Sequence, residues 1–193
     1  DVTLTSGAVY SENRISTSRS VDFGTFTDDL QADYRGATRQ LFTDLSWKTT
    51  GGPVTLQPFA SLAYINLDTD GFREKGGAAA LTGNGETDNI ALSTFGLRWS
   101  AQMPVEDLPL TVSGMLGWRH AMGDLTPASR LAFASGGSPF MLEGVALPRD
   151  TAVVEASVTA QVSKSARLKL SYSGEFAHSL TSHTAKASLA VQF

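Results

Sequence analysis

Several groupings of residues in this sequence have types and spacings that chemistry could use. Asn66-x-Asp68-x-Asp70-Gly71 supplies the oxygen ligands and the glycine that open a calcium loop. Such a loop closes on a bidentate acid at its twelfth position, and that position is Gly77. The acids therefore read better as a strand end turning over at Asp70-Gly71. His120, His178 and His183 are the only histidines, and with no cysteine and no i, i+2 pair they do not compose a metal set. His120 and Asp124 lie close together, with Ser129 and Ser135 downstream, which are the parts of a Ser-His hydrolase. Neither serine sits in a G-x-S-x-G turn, so the nucleophile lacks its setting. Ser135-Gly136-Gly137-Ser138 and Gly76-Gly77-Ala78 are glycine-rich, but they fall between strands and not before a helix. A mobile loop fits them better than a phosphate cradle. No cofactor, catalytic group or metal ligand is expected.

The elements that must carry these residues are strands. The chain has 193 residues, 41% apolar, with a formal charge of −4 and no cysteine, and its mean hydropathy is −0.06. The acidic balance argues against a nucleic-acid footprint, and no apolar run is long enough for a membrane-spanning helix. Strands that alternate average their hydropathy out, so a membrane barrel remains open. The chain starts at Asp1 without a basic or apolar leader and reads as a mature or trimmed piece.

Period-two alternation recurs along almost the whole length. The last segment, Thr184 to Phe193, sets Leu189, Val191 and Phe193 against Lys186, Ser188 and Gln192. Upstream, Arg167–His178, Val154–Val162, Leu110–Trp118, Ala91–Ala101, Val54–Tyr64, Ala37–Trp47 and Val2–Tyr10 repeat the pattern. Phe59 and Ile65 break the polar face of their segment. Each segment approximates the roughly 9–11 residues of a tilted membrane strand. Connections at Thr49–Pro53, Met103–Pro109 and Ser163–Ala166 are short, whereas Ser16–Asp33, Asp68–Asp88 and Ala121–Asp150 are expected to be long loops. Only the last hairpin, Ala177–Ser182, breaks that alternation of lengths.

Alternation alone does not say which face is buried, so a soluble lipocalin-like barrel is the competing reading. One parity carries both charge signs, with Arg98, Arg119, Glu155, Lys169, Glu175 and Lys186, as a wet lumen would. The other carries Leu41, Leu62, Leu97, Leu116, Val154 and Leu168. Its rings gather at strand ends, with Trp47, Trp99 and Phe193 on the short-turn side and Tyr64, Trp118 and Phe176 toward the long loops. Two aromatic girdles and unequal loops are the pattern of an outer-membrane barrel. The expected fold is all-β, an antiparallel up-and-down transmembrane barrel with about eight strands present.

Leu56–Gly77, Leu92–Trp99, Gly117–Phe133, Arg149–Glu155 and Leu170–Phe176, in that order and ending at Phe193, resemble the C-terminal translocator (autotransporter β-barrel) domain of type V secretion proteins. The resemblance implies a twelve-stranded barrel with a helical linker in its pore. Residues 1–193 would then form one domain, its C-terminal two-thirds. It further implies anchoring in the bacterial outer membrane and translocation of an N-terminal passenger without catalysis. The implied partners are outer-membrane lipid, the passenger of the same polypeptide and the barrel-assembly machinery, with no nucleic acid. Lys186, Ser188, Val191 and Phe193 match the terminal assembly signal of outer-membrane proteins, with Ser188 where glycine is usual. The alternative functions are a stand-alone structural or adhesive barrel acting through its loops, and a rim hydrolase.

Overall fold

The computed structural model describes residues 1–105 and 108–192. In chain order the strands are β1 (Val2–Phe23), β2 (Phe26–Trp47), β3 (Thr49–Gly51), β4 (Val54–Thr69), β5 (Phe72–Arg73), β6 (Leu81–Gly83) and β7 (Glu86–Val105). They continue as β8 (Leu108–Gly123), β9 (Ala128–Phe133), β10 (Phe140–Glu143), β11 (Asp150–Gln161), β12 (Ala166–Phe176) and β13 (Thr181–Val191). Eight of them form one antiparallel meander, β1-β2-β4-β7-β8-β11-β12-β13, with β3 as a short addition to β4. The sheet curls into a half-barrel. Among the described residues its end strands, β1 and β13, do not pair with each other.

The apolar parity faces outward. Leu41, Leu62, Leu116 and Leu189 are each between 56% and 64% exposed, on the convex side. A soluble barrel would bury that parity inside, whereas large apolar side chains exposed along one convex surface are the arrangement of a membrane barrel wall. Among the described residues no helix is long and apolar enough to cross a membrane.

Three expectations need correction. Ser16–Asp33 is not a loop: β1 and β2 run on as a paired ribbon to Phe23 and Phe26. The reason lies in its cross-strand pairs. Ser16 donates to Asp33 at 2.6 Å and Ser20 to Asp29 at 2.8 Å, so polar residues that resemble loop composition satisfy one another across the ladder. Second, the long connections Asp68–Asp88 and Ala121–Asp150 contain a four-stranded sheet of their own, β10-β9-β6-β5. Together with the ribbon this sheet makes a packed outcrop whose buried residues include Leu30, Ala32, Ala80 and Leu131.

Third, Gly76-Gly77 is a packing point and not a mobile tether. Gly76 has φ of 123°, and a Cβ there would run into the carbonyl of Asp29. Only glycine allows the connection to approach β2 this closely. Asp28 then accepts a hydrogen bond from the Ala79 N–H at 2.8 Å, and Lys75 pairs with Gln31 through both backbone groups.

Candidate functional site

The charged parity converges on the concave face. Arg98, Glu155, Lys169 and Lys186 line its first hollow, and Arg98, Arg119, Glu155 and Glu175 line a second above it. Antiparallel register puts these side chains on one surface although they come from five strands. Two of them make ion pairs that span an intervening strand. Arg98 on β7 forks onto Asp44 on β2 at 2.7 and 3.0 Å, passing over β4. Arg119 on β8 reaches Glu175 on β12 at 2.8 Å, passing over β11. Lys169 and Lys186 are diagonal neighbours on β12 and β13, because Lys169 faces Ser188 and Lys186 faces Ser171.

The two apolar residues that break the polar face have separate jobs, neither legible from alternation. Phe59 lies in one register row with Gly96 and Gly117. A Cβ on Gly96 would meet the Phe59 ring at 2.8 Å, so the ring fills the trough that the glycines leave. The Arg98 guanidinium covers it, 3.7 Å from the ring centroid. An inward aromatic is thus buried beneath a cation instead of facing water. Ile65 sits higher, packed with Leu67 and Leu92 against a buried cluster of Ile90, Ala121 and Leu125.

That cluster seals the loop-side end of the concave face. At Gly123, where φ is 101°, the chain turns off β8. A hydrogen bond from the Asp124 N–H to the Asn89 carbonyl and one from the Asn89 N–H to the Asp124 carboxylate fix the turn. Nearby, burial and the charges of Asp124 and Glu86 push the Asp88 carboxyl above its ordinary value.

The ring-bearing residues of the outward face are distributed as follows. Trp47 pairs with Val2 at the short-turn end, and Trp99 lies over Gly114, where a Cβ would meet its ring at 2.7 Å. Toward the loops, Trp118 stacks on Phe95 with centroids 6.4 Å apart and donates to Asp150. Tyr64 donates to Asn89 at 2.7 Å, and Phe176 meets the His183 ring edge-on. Phe193 lies outside the described residues. Of the other terminal residues, Lys186 and Ser188 share the concave parity, and Val191 is outward and exposed.

The groupings with chemical potential disperse. Asn66 bonds Arg39 and Asn89, and Asp68 accepts from Thr87. Among the described residues no three His, Cys, Asp or Glu side chains converge as a metal set. His120 is held by Asp150 at 2.8 Å and not by Asp124. The partner sits directly opposite His120 on the neighbouring strand, a relation visible only once the register is known. His183 meets the Tyr172 hydroxyl at 2.8 Å, and His178 is exposed. Ser129 lies on β9, in the outcrop sheet, and faces Leu142.

Comparison with known proteins agrees with this architecture. A family described as Autotransporter beta-domain matches residues 1–173. Two proteins of Serratia marcescens, each named extracellular serine protease, are 34% identical over 190 residues, covering 98% of this chain. The chain spans 18% of the length of these relatives.

Proposed function

Because the chain belongs to the autotransporter β-domain family, which resides in the bacterial outer membrane, we propose that it anchors a passenger segment of its own polypeptide and carries that segment to the cell surface. The observation that carries this reading is a curled sheet with apolar residues outside, charged residues inside and two unpaired edges. An unpaired edge in hydrocarbon leaves a row of N–H and C=O groups without partners, at several kcal/mol for each group. The edges of β1 and β13 therefore need further strands between them. We assign those strands to the same polypeptide, residues 1–193 being the C-terminal two-thirds of a twelve-stranded barrel. The length of the Serratia relatives supports this assignment.

In this reading Arg98, Arg119, Glu155, Lys169, Glu175 and Lys186 keep the lumen wet, so an unfolded or hairpin segment passes without losing its hydration. Phe95, Trp118, Tyr64 and Phe176 rest at the outer interface, and Trp47 and Trp99 at the periplasmic one. Lys186, Ser188, Val191 and Phe193 serve as the signal read by the barrel-assembly machinery. No step is catalytic. Any protease activity belongs to the named relatives and to parts of them outside the matched region.

The test is passenger display in the complete polypeptide. With residues 181–193 deleted, the passenger is expected to stay inaccessible to protease added to intact cells, while the undeleted protein exposes it. Equal exposure in both would sink the proposal.

A further inference from the structure

The part of the β1–β2 ribbon beyond the membrane carries a juxtaposition that translocation does not use. Tyr10 and Arg39 face each other on the outward side. Four residues farther along, on the same side, Arg14 faces Arg35. Like charges directly opposite destabilise an antiparallel pair. Among the described residues Arg14 makes no ion pair. Arg35 has Glu12 as its ion-pair partner, at 3.7 Å, with both side chains more than half exposed, while Asp33, two residues along on the same side, accepts from the Ser16 hydroxyl at 2.6 Å. Asp70 flanks Arg35 through its backbone, its N–H donating to the Arg35 carbonyl, but forms no ion pair with it.

The position of this pair decides what could neutralise it. Four strand residues cover about 13 Å, and a tilt near 40° puts the pair about 10 Å above the Tyr10 level. With Tyr10 at the level of the aromatic girdle, the pair lies above the acyl chains, among the lipid head groups. The opposite side of the ribbon is already filled. Leu30 and Ala32 are buried there, Tyr34 stacks on Phe72 with centroids 5.2 Å apart, and Arg19 forks onto Glu74. Among the described residues, the side left open to an anion reaching Arg14 and Arg35 is therefore the membrane side. Two guanidiniums on adjacent strands match the oxygens of one phosphate, and their planar forks bind it with directed hydrogen bonds.

We infer that Arg14 and Arg35 form a phosphate site for a phosphorylated glycolipid of the outer leaflet. The packed outcrop holds the ribbon, so the two side chains are presented at a fixed height.

The test uses the complete polypeptide purified from outer membranes in detergent, with bound lipid counted by native mass spectrometry. Three probes are compared: lipopolysaccharide, the same lipid after chemical dephosphorylation, and inorganic phosphate. The double variant Arg14→Gln, Arg35→Gln is expected to bind lipopolysaccharide about tenfold more weakly, and Arg14→Lys, Arg35→Lys to recover part of the loss. Dephosphorylated lipid should bind the unaltered protein as weakly as lipopolysaccharide binds the double variant. Unchanged binding in the double variant overturns the site. Inorganic phosphate binding as tightly as the lipid overturns the glycolipid as its source. Heat-modifiable migration on gels reports folding separately. If the double variant does not fold, Arg35→Gln alone decides, since Arg35 lies between two paired strands and Arg14 lies on the sheet edge.

Discussion

Arg98 reaches across a whole strand to hold Asp44, and it does so over the face of Phe59. One side chain thereby ties β2, β4 and β7 together on the concave surface. Arg98→Met removes both the fork and the cover over the ring. The side chains are 36% and 21% exposed, so solvent screens the pair, and a loss of about 1–2 kcal/mol is expected. Urea unfolding of the lipid-inserted protein, followed by tryptophan fluorescence, measures it. Asp44→Asn should cost less, because it keeps the shape and the Arg98–Phe59 contact.

Beneath that contact, Gly96→Val tests the trough. Its Cβ would lie 2.5 Å from the Leu116 carbonyl oxygen and 2.8 Å from the Phe59 ring. The ring has no alternative seat on a face lined by charges, so a loss of about 1–3 kcal/mol is expected. Adding Phe59→Ala should recover part of it in the same unfolding assay. A double variant no better than Gly96→Val alone would locate the strain in the backbone contact.

On the outward face, Leu97→Arg and Leu168→Arg each put a cation in the middle of the wall. Each is expected to weaken insertion by about 2–4 kcal/mol. The readout is the fraction of protein with heat-modifiable mobility in outer-membrane preparations. Undiminished folded yield would show that these positions do not face lipid.

The outcrop has a pH dependence that follows from Glu74. Its hydrogen bond to Arg19 is the main cause holding the Glu74 carboxyl below its ordinary value; burial opposes this, and the Leu81 N–H adds to it. A depressed carboxyl contributes stability that is complete above the ordinary carboxylate range and disappears as pH falls through the folded value. A nitroxide at Thr25→Cys, in a chain with no other cysteine, should therefore become more mobile on acidification. Glu74→Gln should be mobile already at neutral pH. Asp88 acts with the opposite sign, since its raised value favours the folded state only while it is protonated.

The wall of this protein was largely legible in its sequence, because a strand with lipid on one side and water on the other must alternate. Parity alone sets Leu97 apart from its neighbour Arg98, and Leu168 apart from Lys169, on opposite faces. Where a concave residue meets protein instead of water, the rule fails. Phe59 and Ile65 look like errors of pattern until Gly96 and Leu125 are known to lie against them. The ribbon failed for a related reason. Serine and aspartate on Ser16–Asp33 have loop composition, and only cross-strand pairing turns them into strand. The partner of His120 was hidden because a residue thirty positions away is adjacent only through register.

The hydrogen-bonded row Leu4–Leu45–Ala60–Phe95–Trp118–Ala152–Phe176–Thr181 begins near the start of β1 and ends at the first residue of β13. In β1 it lies at the end bearing the short turns, and in β13 at the end bearing the loops. The sheet is thus a spiral ramp that climbs most of the membrane's thickness in seven steps. Any segment that completes the circle must continue the climb, because closure fixes tilt and stagger together. Strands laid level across the gap would leave the ladder out of phase at one seam. The pitch already built into this chain therefore dictates the geometry of the residues that close it.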